Sequence, residues 1–331
     1  MADAQQIRLA RVVEGLPDAA DFELTDAPLA APAAGEVLCR NEWLSLDPYM
    51  RSQMAGRHLS GAVGPGDVMR GETLSRVLES GDPRFRPGDP VRGPGGWQTH
   101  TILSADALAR VDARIQPPTL ALSTLGMPGL TAYAGIHWLG AVQPGETVLI
   151  PAATGAVGSI AGQLARLAGC RVIGMAGSDE KCADAVSRLG YAACINRHEN
   201  DVAGRLDALC SDGIDVYLDL VGGALLTTVA ERLAIGGRVV LCGLMAEYNS
   251  PQRLPGPPPG LWIRARASVH GLVVYDFESR RGEFLQACLP LVASGALQTR
   301  EDISAGLDSA PAAFCRLMRG ETHGKVLVKL H

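Results

Sequence analysis

From Thr147 onward the chain alternates short apolar runs with helix-length segments, and this rhythm narrows the possible folds more than any other feature of the sequence. The runs are Thr147 to Pro151, Arg171 to Ala176, Ala192 to Ile195, Val216 to Leu220, Arg238 to Cys242 and Ser268 to Val274. A helix is expected over Ala156 to Ala168, with further helix candidates between the first five runs. Strands separated by helical crossovers pair in parallel, because each crossover carries the chain back to the same end of the sheet. Right-handed crossovers then produce a doubly wound α/β unit, its parallel sheet covered on both faces.

Up to Ile115 the punctuation differs. Short β-rich runs, Ile7 to Val13, Phe22 to Thr25, Glu36 to Asn41, Leu74 to Glu79, Pro90 to Arg92 and Thr99 to Leu103, are separated by Pro and Gly, as in Arg86-Pro87-Gly88-Asp89. This is the turn chemistry of an all-β unit, and a partly open barrel is expected. A chain of 331 residues has room for both units. Helices are expected at Glu278 to Ser294 and Ser309 to Arg319, and a last strand at Lys325 to Leu330 that rejoins the first unit. The expected division is therefore 1–120, 121–290 for the doubly wound unit, and 291–331 returning to the β unit.

Composition excludes several classes of function. Thirty Lys and Arg against 35 Asp and Glu leave a net charge of −5, without the basic excess that counterion release on nucleic acid needs, so nucleic acid is not an expected partner. Between Ile115 and Ala165 the only formal charge is Glu146, but Pro117, Pro118, Pro128, Pro144 and Pro151 interrupt the stretch. It reads as buried protein interior, with no membrane partner. The segment Met1 to Ala10 has no cationic start followed by an apolar run, so a secretory leader is not expected. The eight cysteines include no Cys-x-x-Cys pair, and the histidines show no His-x-x-x-His spacing. No metal ligand is assigned, and a reducing, cytoplasmic compartment is expected. The proline-rich stretch Pro251 to Gly260 reads as a stiff ordered loop.

The strongest chemical signal is Thr147-Val148-Leu149-Ile150-Pro151-Ala152-Ala153-Thr154-Gly155-Ala156-Val157-Gly158. An apolar strand runs into a tight turn and a helix, so that Gly155 and Gly158 let the backbone, with Ala156 and Val157 between them, approach a pyrophosphate at a helix N-terminus. Thr154 stands where the stricter three-glycine fingerprint has its first Gly. An NAD site usually places an acidic residue about 20 residues after the fingerprint, to accept from the ribose 2′-hydroxyl. Here Gly177 follows Gly158 by 19 residues, in Gly177-Ser178-Asp179-Glu180-Lys181. Without the carboxylate a 2′-phosphate is not repelled, and Ser178, Lys181 and, after the third strand, Arg197 can donate to it. NADPH is the expected cofactor. Ser178 also reads as an N-cap with Asp179 and Glu180 in the first turn, and both roles are compatible.

These residues resemble a known group, the zinc-independent medium-chain dehydrogenases/reductases, and within it the prostaglandin reductase, alkenal double-bond reductase and curcumin reductase family. The likeness is carried by Asn41 to Arg51 (Asn-Glu-Trp-Leu-Ser-Leu-Asp-Pro-Tyr-Met-Arg), Gly126 to Tyr133, the glycine-rich turn, Gly177 to Lys181, Val221-Gly222-Gly223, and Cys242-Gly243 with Tyr248-Asn249. It continues through Pro257-Pro258-Pro259 and from Pro311 to Gly324-Lys325. It implies a GroES-like β-barrel domain split around a Rossmann domain, NADPH as cofactor, a homodimer, and reduction of a carbon–carbon double bond conjugated to a carbonyl. Cys242, Gly243, Tyr248, the run Leu272, Val273 and Val274, and Thr322 join the implied cofactor contacts. Where relatives with a catalytic zinc carry Gly-His-Glu, this chain has Arg70-Gly71-Glu72-Thr73. It departs from the family's usual pattern at Leu220 and Thr322, where Asn is common, and at Arg197, where Tyr is common.

Hydride delivery to the β-carbon of an enone or enal leaves negative charge on the carbonyl oxygen, which needs a hydrogen-bond donor. Tyr248 matches the family's catalytic Tyr and follows a sheet strand on the side where such folds bind ligands. Tyr49 reads either as a substrate-pocket residue or as a Tyr buried in the β domain. His58 and Ser60 stand where relatives can carry another pocket Tyr. Two competing readings are a quinone reductase of the same superfamily and a non-catalytic NADPH-binding sensor or structural protein.

Overall fold

Along the chain the N-terminal strands precede any helix of length. In the computed structural model, which describes residues 4–250 and 252–331, β1 (Ala4–Leu9) and β2 (Phe22–Ala27) pair as an antiparallel ribbon. Met1 to Asp3, and Pro251 at the head of the proline-rich stretch, lie outside the described residues. β1 ends four residues before the expected Val13, because the Ala10 N–H turns to the Asp21 carbonyl and Val12 is exposed. Then come β3 (Glu36–Leu46), the short helix α1 (Tyr49–Met54), β4 (Thr73–Ser80), β5 (Pro90–Gly93), β6 (His100–Ser104) and β7 (Ala109–Arg110). β3 runs five residues past its expected end at Asn41. Register shifts at Leu38/Cys39 and Asn41/Trp43 bend it, so that one half pairs with β6 and the other continues toward the C-terminal strand.

The chain divides into two units, Met1–Leu122 with Glu301–His331, and Ser123–Arg300. The second opens with α2 (Met127–Tyr133) and then alternates: β8 (Thr147–Ile150), α3 (Gly158–Leu167), β9 (Arg171–Ala176), α4 (Asp179–Ser187), β10 (Ala193–Asn196), α5 (Val202–Leu209), β11 (Ile214–Asp219), α6 (Ala224–Ala230) and β12 (Leu233–Leu241). After α7 (Met245–Tyr248) and α8 (Pro259–Ala265) comes the edge strand β13 (Ser268–Gly271), then α9 (Arg281–Ala293). The sheet order is β10-β9-β8-β11-β12-β13, every neighbouring pair parallel. Counted by appearance that is 3-2-1-4-5-6, the Rossmann order, whose switch point lies between β8 and β11. Leu149, Ile173, Ile195, Tyr217 and Val239 fill one side of this sheet.

Two local differences from expectation have physical causes. The proline-rich stretch ends by starting a helix, with Pro258 as N-cap and Pro259 at the first position of α8, where a missing N–H costs nothing. The last strand of the parallel sheet, β13, stops at Gly271 instead of Val274. Leu272 still donates its N–H to the Leu241 carbonyl, but Val274 opens a 3₁₀ helix, Val274–Arg280.

The C-terminal segment contributes β14 (Glu301–Ala305), α10 (Ala310–Arg319) and β15 (Lys325–Lys329) to the first unit, whose sheet runs β14-β15-β3-β4-β5-β7 with β6 on β3. Val37, Cys39, Val77, Phe85 and Val91 pack inside it. The return falls at Glu301, ten residues after the expected 291, because α9 crosses that boundary. Gln298 also remains bound to α3: Gln163 Nε2 donates to its carbonyl at 3.0 Å and its N–H donates to Gln163 Oε1 at 2.7 Å. Among the described residues no helix is long and apolar enough to cross a membrane.

Candidate functional site

β8 delivers the chain to the switch point as a buried apolar strand, and the turn that follows is tightly wound. Ala152 adopts φ +51°, a left-handed conformation that costs a residue with a Cβ about 1–2 kcal/mol. The Gly155 N–H closes the turn onto the Ala152 carbonyl at 2.8 Å. Helix α3 begins at Gly158, two residues later than expected, and no side chain caps it; the Ser159 N–H donates to the Gly155 carbonyl at 3.0 Å and the Ala161 N–H to the Val157 carbonyl at 2.9 Å. Gly158 has a further task. A Cβ there would lie 2.2 Å from the Ala152 carbonyl oxygen, so the close approach it permits is of the chain to itself. At Gly155 the same oxygen would be 3.1 Å away.

Tyr191, which sequence reasoning missed, supports this turn from below. Its buried Oη donates to the Gly158 carbonyl at 2.7 Å, and its ring rests where Gly162 and Gly174 have no side chain, each Cβ position lying within 3 Å of a ring atom. The signal was available as glycines inside a helix and inside a strand, which mark close approach by a neighbour. Tyr191→Phe is expected to lose about 1–2 kcal/mol of stability with the ring still seated. Chemical denaturation measures this; an unchanged midpoint would show that the hydroxyl does not anchor the turn.

The residues predicted to bind the phosphate lie at the ends of β9 and β10 and at the start of α4. Ser178 Oγ caps α4 by accepting from the Lys181 N–H at 3.2 Å, as the sequence expects, and Lys181 is buried. Arg197 lies beside Gly177: its Nε and Nη2 are 3.5 and 3.6 Å from the point a Gly177 Cβ would occupy. An Asp or Glu at 177 would thus meet this guanidinium directly, whereas Gly leaves it open.

On the other side of the switch point, Asp219 ends β11 and ties the neighbouring loop down. Its Oδ1 accepts from Tyr217 Oη, the Val221 N–H and the Gly222 N–H at 2.8–2.9 Å, and its carbonyl accepts from the Cys242 and Gly243 N–H groups at 2.9 and 3.0 Å. Burial pushes its carboxyl up from the usual range, partly opposed by those three donors. Asp219 also escaped the sequence reading, since an Asp closing an apolar strand resembles any turn residue. The anchored chain leads through Cys242 and Gly243 to α7 and Tyr248. The Tyr248 phenol oxygen accepts from the Leu244 N–H at 3.4 Å. Burial raises its pKa above the ordinary 10.0, an effect the Leu244 bond reduces and the neighbouring Cys242 adds to. Beside it Asn249 Oδ1 is buried without a protein partner among the described residues, an acceptor suited to a ligand hydroxyl.

Tyr49 and Thr322 belong to the first unit and are described there. Tyr49 opens α1, half-buried, with its ring stacked on His58 at 4.7 Å between centroids. The His58 Nδ1 lies 2.7 Å from Ser60 Oγ, and burial lowers its pKa. Thr322 is buried just before β15. Leu272 turns into the second unit's interior, its Cδ1 3.5 Å from the Gly135 Cβ position, while Val273 and Val274 lead into the 3₁₀ helix. Among the described residues no three His, Cys, Asp or Glu are grouped to hold a metal ion.

The family described as "N-terminal domain of oxidoreductase" matches residues 5–111, and that described as "Zinc-binding dehydrogenase" matches residues 156–294. The chain is 39% identical to an NADPH-dependent curcumin reductase of Escherichia coli (strain K12), over 97% of this chain and 95% of that one. It is 35% identical to a 2-alkenal reductase (NADP(+)-dependent) of Nicotiana tabacum, over 98% and 96%. The solved structure of CurA in complex with NADPH from Vibrio vulnificus superposes with a TM-score of 0.93 at 38% identity, covering 99% of both chains. The chain belongs to the medium-chain dehydrogenase/reductase family, in the group of the prostaglandin, alkenal and curcumin reductases.

Proposed function

We propose that this protein is an NADPH-dependent reductase of the carbon–carbon double bond of α,β-unsaturated aldehydes and ketones. The observation that carries the reading is the position of the phenol Tyr248, beyond the carboxyl end of β12 and in the same unit as the glycine-rich turn at the sheet's switch point. The names of the similar proteins, a curcumin reductase and a 2-alkenal reductase that use NADPH or NADP(+), support the cofactor and the substrate class.

In this reading the backbone from Gly155 through Ala156 and Val157 to Gly158 holds the pyrophosphate, and Gly177, Ser178, Lys181 and Arg197 receive the 2′-phosphate. Cys242, Gly243, Leu272, Val273, Val274 and Thr322 complete the cofactor contacts, and Tyr49 contacts substrate. The residues present fit the group: the uncapped start of α3 suits an anion, and Gly177 replaces the acidic residue that would repel a phosphate. Bound NADPH supplies the hydride. The protein's own contribution is to orient the unsaturated carbonyl and to donate, from Tyr248 Oη, a hydrogen bond to the oxygen on which charge develops. A phenol whose pKa is raised keeps that proton throughout the neutral range. Eight cysteines, all free, suit a reducing compartment, and a cytoplasmic homodimer is part of the proposal.

The test follows NADPH absorbance against a panel of enals, enones and quinones, with NADH as the control. Consumption of NADPH with enals and enones, and little with NADH, is expected. Turnover with quinones alone would replace the reading by quinone reduction, and binding without turnover of any acceptor would make the protein a sensor.

A further inference from the structure

The loops after β9 and β10 are joined by a hydrogen-bond network more specific than phosphate binding by scattered cations requires. Asn196, the last residue of β10, donates from Nδ2 to Asp179 Oδ1 in the first turn of α4 at 2.8 Å, and its Oδ1 accepts from the His198 N–H at 3.1 Å. The Arg197 N–H donates to the Ala176 carbonyl at the end of β9 at 2.8 Å. These bonds fix the backbone on both sides of Arg197 relative to Gly177 and Ser178.

The Arg197 side chain is held in turn. Its Nε donates to His198 Nε2 at 3.2 Å, while Nε, Nη2 and Cζ lie 3.5 to 3.7 Å from the Gly177 Cβ position. In this bond Arg197 Nε is the donor and His198 Nε2 the acceptor. Both nearby acids are engaged elsewhere: Asp179 accepts from Asn196, and Glu199 pairs with Arg205 at 3.4 Å. Among the described residues no carboxylate pairs with Arg197. This choice of partner has an electrostatic consequence. A carboxylate would orient the guanidinium but also neutralise it, whereas an imidazole acceptor brings no negative charge and leaves the positive charge of Arg197 for an incoming anion.

We propose that His198 is a positioning residue for Arg197, and that the pair sets the preference for a dinucleotide bearing a phosphomonoester on its adenosine ribose. The inference rests on the NADPH reading given above and adds to it the residue that orients the guanidinium. The imidazole occupies the guanidinium's Nε edge, which leaves the two terminal nitrogens to face the phosphate oxygens.

The experiment measures dissociation constants by calorimetry at one pH and salt concentration, for NADPH and NADH, with wild type, Arg197→Ala, His198→Ala and His198→Gln. Arg197→Ala is expected to weaken NADPH by about 10- to 100-fold, the range of a charge-assisted bond, with NADH within about twofold. His198→Ala is expected to weaken NADPH by about 3- to 10-fold, again sparing NADH, because the guanidinium remains but is no longer oriented. His198→Gln, which keeps an acceptor near the Nε2 position, should recover most of that loss. Equal weakening of both dinucleotides by His198→Ala would mark a merely structural role and overturn the inference. So would a wild-type preference for NADPH that His198→Ala leaves intact. A wild type that binds both dinucleotides alike would undo the cofactor reading itself, and this inference with it.

Discussion

Tyr248→Phe is expected to lower kcat with an enone by about 100-fold or more while the NADPH dissociation constant stays within about threefold, because only the donor to the developing oxyanion is lost. The ring remains to pack, and the Leu244 N–H that now meets the phenol oxygen is a backbone group at an exposed residue, which water can satisfy. The pH profile distinguishes this role from a packing role. Since burial raises the Tyr248 pKa above 10.0, the phenol is protonated at neutral pH, and wild-type kcat should be flat there and fall only above the ordinary tyrosine range. The Phe variant should lack that alkaline limb. Steady-state kinetics at saturating NADPH decide the matter. An unchanged kcat, or a loss confined to KM, would remove Tyr248 from the chemistry and leave it a substrate contact.

The elements that sequence reasoning reached most closely are those whose burial is one-sided or complete. Arg171–Ala176 is a strand at both expected ends, because its apolar run is bounded by Gly169 before and by Gly177-Ser178 after, where the Ser caps α4. The limit of β3 was missed for a different reason. Asn41-Glu42 looks like a strand terminus in a one-dimensional pattern. In three dimensions Asn41 is wholly buried, its Oδ1 accepting from Ser75 Oγ at 2.7 Å and its Nδ2 donating to the Gln98 carbonyl at 2.8 Å, so the strand runs on. Polarity that is satisfied across the sheet cannot be seen along the chain.

The same division applies to the site. The tight turn at Gly155 and the Ser178 cap were legible because local chemistry demands them. Tyr191 and Asp219 were not, because each acts on a segment that only the folded sheet brings near. Tyr191 reaches back 33 residues to the Gly158 carbonyl, and Asp219 holds the N–H groups of Cys242 and Gly243. The residues expected to touch the cofactor were therefore readable as a motif, whereas the residues that hold those in place depend on strand order.

The largest stability effect is expected at Lys325, which the family likeness singles out only as part of a Gly-Lys pair. In the structure its Nζ is buried in the first unit, 2.5 Å from Asp47 Oδ1 and 2.8 Å from the Leu46 carbonyl, with the two side chains 2% and 6% exposed. Ser45 Oγ donates to the other carboxylate oxygen. The pair joins residues 278 apart in sequence and locks β15 onto β3, the step by which the C-terminal segment completes the first unit. Lys325→Met removes the charge while keeping an apolar stem, so the Asp47 carboxylate is left buried with a single hydroxyl donor. That should cost about 3–5 kcal/mol, the usual penalty for breaking a buried pair from one side. The double variant Lys325→Met with Asp47→Asn removes both charges and should regain a substantial part of the loss, since the main penalty is the orphaned carboxylate and not the missing attraction. Denaturant unfolding followed by tryptophan fluorescence measures the effect, with Trp43 and Trp97 in the first unit and Trp138 and Trp262 in the second. A single variant within about 1 kcal/mol of wild type would mean that the pair contributes no more than an exposed one. A double variant as unstable as the single would place the cost in packing around the Lys325 stem instead of in the unpaired charge.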